Sequence, residues 1–189
     1  MIMDAFELIK TRRSVFPAQF SDRAIKKSDI ETILEAANWA PSHKKTEPWR
    51  FKIMQGDTLE RLGEHFSMTY SAITPVEKFS DFKKNKVAKN PTKAQVVIAI
   101  CMQRDPKERV PEWEEIAATA MAVQNLWLMA HSLGIGGYWS SPSLKDYMTE
   151  FLDLGEGEKC LGFFYLGYEN EPQIQSATRG PISEKVSWM

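Results

Sequence analysis

Two rhythms of apolar residues run along this chain. Ile30, Ile33, Leu34 and Ala37 recur at the i, i+3, i+4, i+7 spacing of an amphipathic helix. Ser28-Asp29-Ile30-Glu31 predicts a capping box at its start, and Pro41 ends it by disfavouring helical geometry at Ala40. From Trp49 to Gln55 the period becomes two, with Trp49, Phe51 and Ile53 on one face, a half-buried strand that stops at the Gly56-Asp57 turn. A helix over 57–66 follows. The run AQVVIAICM, 94–102, is apolar without alternation and suits a central strand covered on both faces. Residues 113–133 form the longest helical stretch. It is apolar around most of its circumference, which predicts burial on nearly all sides and requires partners for Gln124 and Asn125. Its alanines, Ala117, Ala118, Ala120 and Ala122, permit close approach of a second helix, as in a dimer seam. Gly134 suits the left-handed position that closes a helix. Ser143 caps a predicted helix carrying Leu144, Tyr147, Met148, Phe151 and Leu152, and CLGFFYLGY, 160–168, is a last strand.

Between 70 and 93 the pattern fails. Pro75, Pro91 and the cluster of Lys83, Lys84, Lys86, Lys89 and Lys93 fit either a lid or a solvated surface segment, the surface reading being the simpler. With 189 residues, no repeat and no linker, the chain reads as one domain over 1–189, with a polar tail at 169–189 that could wrap a partner subunit. The 24 basic and 25 acidic side chains balance, so no global field draws nucleic acid or an anionic membrane. The first residues reach Arg12 and Arg13 before any long apolar run, which reads as neither secretory signal nor anchor, and the expectation is a cytoplasmic protein. Cys101 and Cys160 each sit in an apolar run without a CxxC partner and read as core thiols; the three histidines lack zinc spacing.

Candidate chemistry concentrates at three places. Thr11-Arg12-Arg13-Ser14 follows a short helix with Phe6, Leu8 and Ile9 as its apolar positions. Two guanidiniums and a hydroxyl can hold a phosphate, or the arginines can complement the helix C-terminus. The second place, APSHKKTEPWRF at 40–51, crowds polar groups between helix and strand; Ser42 beside His43 lacks an orienting acid for acyl transfer. The third is GIGGYW at 134–139, which follows a helix rather than a strand and so is not a dinucleotide fingerprint. His131 reads as a satisfied core histidine, while Trp49 and Trp139 stand at junctions where a flat ligand could stack. An anion site and planar walls without an acid, base or nucleophile point to a cofactor that carries its own reactivity.

TRRSV at 11–15, the 40–51 segment, the 120–139 helix and turn, and a late LGY with Arg179 downstream resemble, in order and over nearly the whole chain, the nitroreductase family of flavoproteins. The resemblance implies an α+β fold, with a mixed central sheet flanked by helices, in an interlocked homodimer with flavin mononucleotide (FMN) at the subunit interface. By motif, Arg12, Arg13 and Ser14 hold the phosphate and ribityl end, and Arg179 completes the clamp. Pro41, Ser42, His43 and Glu47 reach the flavin from the other subunit, and Trp139, Ser140 and Ser141 line the ring. Glu47 replaces the family's usual glutamine, with Lys44 or Lys45 at hand to neutralise it, and Ser140-Ser141 departs from relatives with a basic residue there. The implied activity is NAD(P)H-dependent reduction of a nitroaromatic, quinone or related acceptor by ping-pong hydride transfer. The alternatives are dehalogenation or dehydrogenation on the same scaffold, or flavin binding without turnover.

Overall fold

The computed structural model describes residues 4–171 and 178–189. Its centre is the strand β2 (Val96–Gln103), buried along nearly its whole length. Successive side chains of a strand point to opposite faces, and here both faces are covered. Val96, Ile98 and Ile100 pack into one cluster with Ile33, Ala122 and Leu126, whereas Val97, Ala99 and Cys101 pack into another with Leu62, Phe66 and Met148. An unbroken apolar run is therefore what this position demands. Around it the order is β1 (Trp49–Met54), β2, β4 (Glu158–Gly167), β3 (Gly136–Ser140). The sheet expected to be mixed is antiparallel at each of its three pairings within the chain: the helical connection from β1 to β2 starts and ends at the same end of the sheet, and β4 lies between β2 and β3 and runs opposite to both.

Helices α2 (Lys27–Asn38) and α5 (Glu112–Ser132) cover one face, and α3 (Asp57–Ile73) with the turn Ser143–Tyr147 covers the other. The expected capping box does not form: Lys26 is the N-cap of α2, and Ser28 lies inside the first turn. Ile25 and Ile30, at N′ and N4, both enter the core, so a hydrophobic staple sets the start in place of the Ser28 hydroxyl. The helix also stops two residues short of Ala40, at Asn38. Trp49 is a core residue rather than a ligand platform, and its Nε1 donates to Asn38 Oδ1 at 3.2 Å.

Helix α3 runs seven residues past the expected Phe66, and the irregular stretch after it holds α4 (Asp81–Lys89), capped by the Ser80 hydroxyl. Helix α4 buries none of its residues, which is why no apolar period announces it. It rests on Gly63, where an added Cβ would lie 2.0 Å from the Ala88 carbonyl oxygen. The 143–152 helix is instead a 3-10 turn, although Leu144, Met148 and Leu152 are buried as anchors.

Helix α5 differs most from expectation. Its buried face carries Ala118, Ala122, Val123, Leu126 and Ala130, but Trp113 is 67%, Met121 41% and Ile116 39% exposed. The opposite face is open, and Gln124 is exposed to water rather than buried in need of a partner. The end of α5 follows the sequence closely. Gly134 (φ 72°) donates to His131 O at 3.0 Å and Ile135 to Ala130 O at 2.9 Å, the pair of bonds of a Schellman motif. No helix among the described residues is long and apolar enough to cross a membrane.

Candidate functional site

The short helix α1 (Ala5–Thr11) delivers Arg12 and Arg13 to the C-terminal end of α5. Thr11 Oγ1 donates to Glu7 O at 2.6 Å and lies 3.0 Å from His131 Nε2. The hydroxyl's one proton is committed to Glu7, so His131 donates through Nε2. The Arg12 guanidinium lies over the Trp127 ring, 4.0 Å from its centroid. Its Nη1 is buried and, among the described residues, has no hydrogen-bond partner. An orphaned buried donor costs on the order of 1–3 kcal/mol, more when charged. Burial, then repulsion by Arg13 and Arg179, holds the Arg12 pKa below its ordinary value. The His131 pKa is lowered by burial, then by Arg12 and Arg13. Cations brought together around an unsatisfied N–H make a place for an anion. Arg13 partly fits the helix-terminus reading, since its Nη1 donates to Lys10 O at 2.7 Å and Arg12 O at 2.8 Å.

Val15 N donates to Gly137 O at 3.1 Å and fixes the Arg-Arg-Ser turn against β3. Along β3, Trp139 and Ser140 are half-buried and Ser141 beyond them is exposed. Trp139 Nε1 is a second buried donor with no partner among the described residues. The indole fits beside Gly162 (φ 143°), where an added Cβ would lie 2.5 Å from Trp139 Nε1 and 2.5 Å from Ser140 O.

The 40–51 segment is strained and then clamped. Lys44, Lys45 and Glu47 have φ of 52°, 53° and 42°, left-handed geometry that non-glycine residues rarely adopt. His43 Nδ1 pairs with Glu114 Oε2 at 2.6 Å, and Lys44 Nζ donates to Arg109 O at 2.8 Å. Glu47 N donates to Ser42 Oγ at 3.3 Å, and Arg50 Nη1 donates to Glu47 O at 2.9 Å. Arg109 is itself fixed by Asp105, whose carboxyl it holds down at about 2. Pro41, His43 and Glu47 are exposed and Ser42 is half-buried. Lys44 is thus engaged elsewhere than at the Glu47 carboxylate.

These two halves do not meet within one chain. The 43–47 loop contacts α5 at Glu114 and the Arg12 turn contacts it at Trp127 and His131. At 1.5 Å per residue, Glu114 and His131 stand about 26 Å apart along the helix. Trp113, Ala117, Ala120, Gln124, Trp127 and His131 follow one another at helical spacing along the open face of α5. A second copy packed antiparallel on that face would set the loop of one chain against the arginine turn of the other.

The nitroreductase family model matches residues 9–168. The chain belongs to the nitroreductase family. It is 30% identical over 178 residues to "Putative NAD(P)H nitroreductase YdjA" of Escherichia coli (strain K12), covering 93% of this chain and 92% of that one. Its fold is similar to that of the nitroreductase-like family protein from Bacillus cereus, with a TM-score of 0.84 and 28% identity over 100% of this chain and 97% of the other. It is also similar to the FMN-dependent nitroreductase NfnB from Mycobacterium smegmatis in complex with NADPH, with a TM-score of 0.75 and 18% identity over 98% and 97% of the two chains.

The structure brings Arg12, Arg13 and Arg179 into one electrostatic neighbourhood, leaves Ser14 beside the Val15 bond to β3, and puts Pro41, Ser42, His43 and Glu47 at the far end of α5. Sequence reasoning missed Trp127 and His131. His131 is half-buried and hydrogen-bonded to Thr11, not sealed in the core. The available signal was their i, i+4 spacing, which puts both on one helix face. Also missed was a cavity of about 450 Å³ beside the arginine turn, lined by Thr11, Arg13, Arg23, His131, Tyr168 and Glu169 among others. Of the expected site it contains Arg13 alone.

Proposed function

We propose that this nitroreductase-family chain is an FMN-dependent NAD(P)H oxidoreductase whose two flavin sites form between two copies packed along α5. The observation that carries this reading is the separation of the two half-sites along the open face of that helix, each incomplete alone. The orphaned Arg12 Nη1 and the mutual repulsion of Arg12, Arg13 and Arg179 fit a phosphate dianion. FMN and NADPH are named for the NfnB relative, and NAD(P)H for YdjA.

In this reading Arg12, Arg13, Ser14 and Arg179 hold the phosphate and ribityl end, and Trp139, Ser140 and Ser141 wall the ring. Pro41, Ser42, His43 and Glu47 come from the second copy. When bound, the flavin supplies a hydride acceptor and donor at N5, reduced by NAD(P)H and reoxidised by a nitroaromatic, quinone or related acceptor in alternation. The chain's own groups position that ring and exclude water, and none is assigned as acid or base. The α3–α4 hairpin and the 142–147 stretch line a second cavity of about 480 Å³, and in this reading residues 70–93 border the path of the acceptor. Glu47 adds a negative charge that the family's glutamine lacks, and disfavours charge build-up on a reduced ring.

The test is the visible spectrum of the purified protein before and after anaerobic NADPH or NADH, followed by a nitroaromatic or quinone. A yellow protein, bleached by the nucleotide and recoloured by the acceptor, is expected. A colourless protein that takes up no added FMN overturns the reading, and a yellow one that neither nucleotide bleaches leaves a flavin binder without turnover.

A further inference from the structure

Cys101 and Cys160 lie 59 positions apart in sequence, yet the sheet sets them face to face. In a regular antiparallel pairing that continued from Ile100↔Gly162, Cys101 would oppose Leu161 and Cys160 would oppose Met102. A β-bulge intervenes between Ile100 and Cys101, so that the register resumes as Cys101↔Cys160. The extra residue also switches faces. Above the bulge, Phe163 and Tyr165 join the cluster under α3 while Phe164 and Leu166 join the one under α5; below it, the even-numbered Cys160 joins the α3 side, where Cys101 already is. The bulge thus places both thiols on one face as direct cross-strand partners. Directly opposed residues have Cα atoms about 4.5–5.5 Å apart, inside the roughly 4.4–6.8 Å that a disulfide spans. The Cys160 thiol donates to Gly162 O, with Sγ 3.6 Å from the oxygen.

We propose that Cys101 and Cys160 are a peroxide-responsive dithiol, with Cys160 the attacking sulfur and Cys101 the resolving one. Their surroundings assign the roles. Cys101 is sealed off, with 0% exposure. Cys160 borders a small cavity of about 210 Å³ together with Lys145, Thr149 and Glu158, room enough for a molecule the size of hydrogen peroxide. The neighbouring Cys101 thiol, then the Gly162 backbone and the charge of Lys145, hold the Cys160 pKa below its ordinary value against burial and the Asp146 carboxylate, while the same pairing and burial push Cys101 up. The thiolate is the nucleophilic form.

The Cys160 sulfur attacks one peroxide oxygen, the O–O bond breaks and hydroxide leaves to become water, which gives a sulfenic acid. Cys101 sulfur then attacks Cys160 sulfur, the S–O bond breaks, a second water leaves and the S–S bond forms. Two thiols are oxidised and one peroxide is reduced. Because Gly162 stands between Cys160 and the Trp139 indole, the bridge would lock the bulge behind the candidate flavin wall.

Reduced, folded protein treated with hydrogen peroxide, then unfolded in iodoacetamide and weighed, is expected to lose both alkylation sites and ~2 Da, the two thiol hydrogens. Dithiothreitol should restore both sites, and a non-reduced peptide map should join the Cys101 and Cys160 peptides. Cys101→Ala should accumulate a dimedone-reactive sulfenic acid at Cys160, and Cys160→Ala should leave Cys101 alkylatable at the same dose. Two thiols still alkylatable after peroxide overturn the proposal. So does a bridge that forms only at denaturant concentrations where circular dichroism shows unfolding, or one that joins two chains. The wild-type map decides the matter should either variant fail to fold.

Discussion

The arginine turn at 12–14 and the loop at 42–47 are both unfavourable by design, in opposite ways. In the turn the backbone is relaxed and the charges are in conflict: Arg12 is pressed by Arg13 and Arg179, and its buried Nη1 is unpartnered among the described residues. In the loop the polar groups are well paired, through Glu114, Arg109 and Ser42, and the backbone is in conflict, with three of four consecutive residues at positive φ. The first kind of frustration is relieved by adding an anion. The second cannot be relieved by any small ligand, and instead fixes which way the loop's exposed residues face. A site assembled from one half that waits for charge and one half held in shape is suited to a phosphate-bearing cofactor that must be gripped at one end and faced at the other.

The largest expected effect comes from removing the charge conflict. Replacing Arg12 and Arg179 together with alanine should weaken FMN binding by roughly 100-fold or more, since each charge-assisted contact contributes about 1.5–3 kcal/mol; fluorescence titration of the apo protein measures it. Unchanged affinity would place the phosphate elsewhere. A smaller effect tests the strain. Glu47→Gly removes a left-handed penalty and should raise unfolding stability in urea by roughly 0.5–1 kcal/mol, whereas Glu47→Gln, which keeps the strain and loses the charge, should stay within about 0.5 kcal/mol of the parent. If the glycine variant is the less stable of the two, the loop stores no strain at 47.

The smallest effect is at His131, beside the arginine turn. Its folded pKa is depressed, so its contribution to stability is complete above its ordinary value near 6.5 and is lost as pH falls through that value toward the folded one. Nuclear magnetic resonance of the imidazole should show a titration below the ordinary range, moving upward when FMN is added, because a phosphate offsets Arg12 and Arg13. A titration that ignores FMN would separate His131 from the anion site.

The parts of the fold written in local patterns were legible. The unbroken run of β2, the length of α5 and the glycine that closes it could all be read because one residue type answers one local requirement. The start of α2 was misjudged because two local signals compete there, and burial of Ile25 and Ile30 outweighed a hydroxyl. Helix α4 left no period to read because none of its residues is fully buried, Val87 alone packs against the core cluster under α3, and the close approach to α3 is at Gly63. At the site, the chemistry of Arg12, Arg13 and Ser14 singled them out as either an anion site or a helix terminus, and the resemblance chose between these; His131 stood out by neither route, since a lone histidine in an apolar helix gives no hint of which end of the molecule it faces. The Cys101–Cys160 pairing was invisible for a different reason: it depends on a bulge, and one extra residue in a strand alters facing without altering composition.

The open face of α5 has a last consequence. In the proposed pair of copies, a chain that leaves Trp113, Ile116 and Met121 in water would keep part of its interior outside itself until the second copy arrives, and dilution would act as a denaturant. Each tenfold fall in protein concentration would then remove about 1.4 kcal/mol per mole of dimer from the assembled state. On that reading, the amount made in a cell would set both how many molecules there are and how durable each one is.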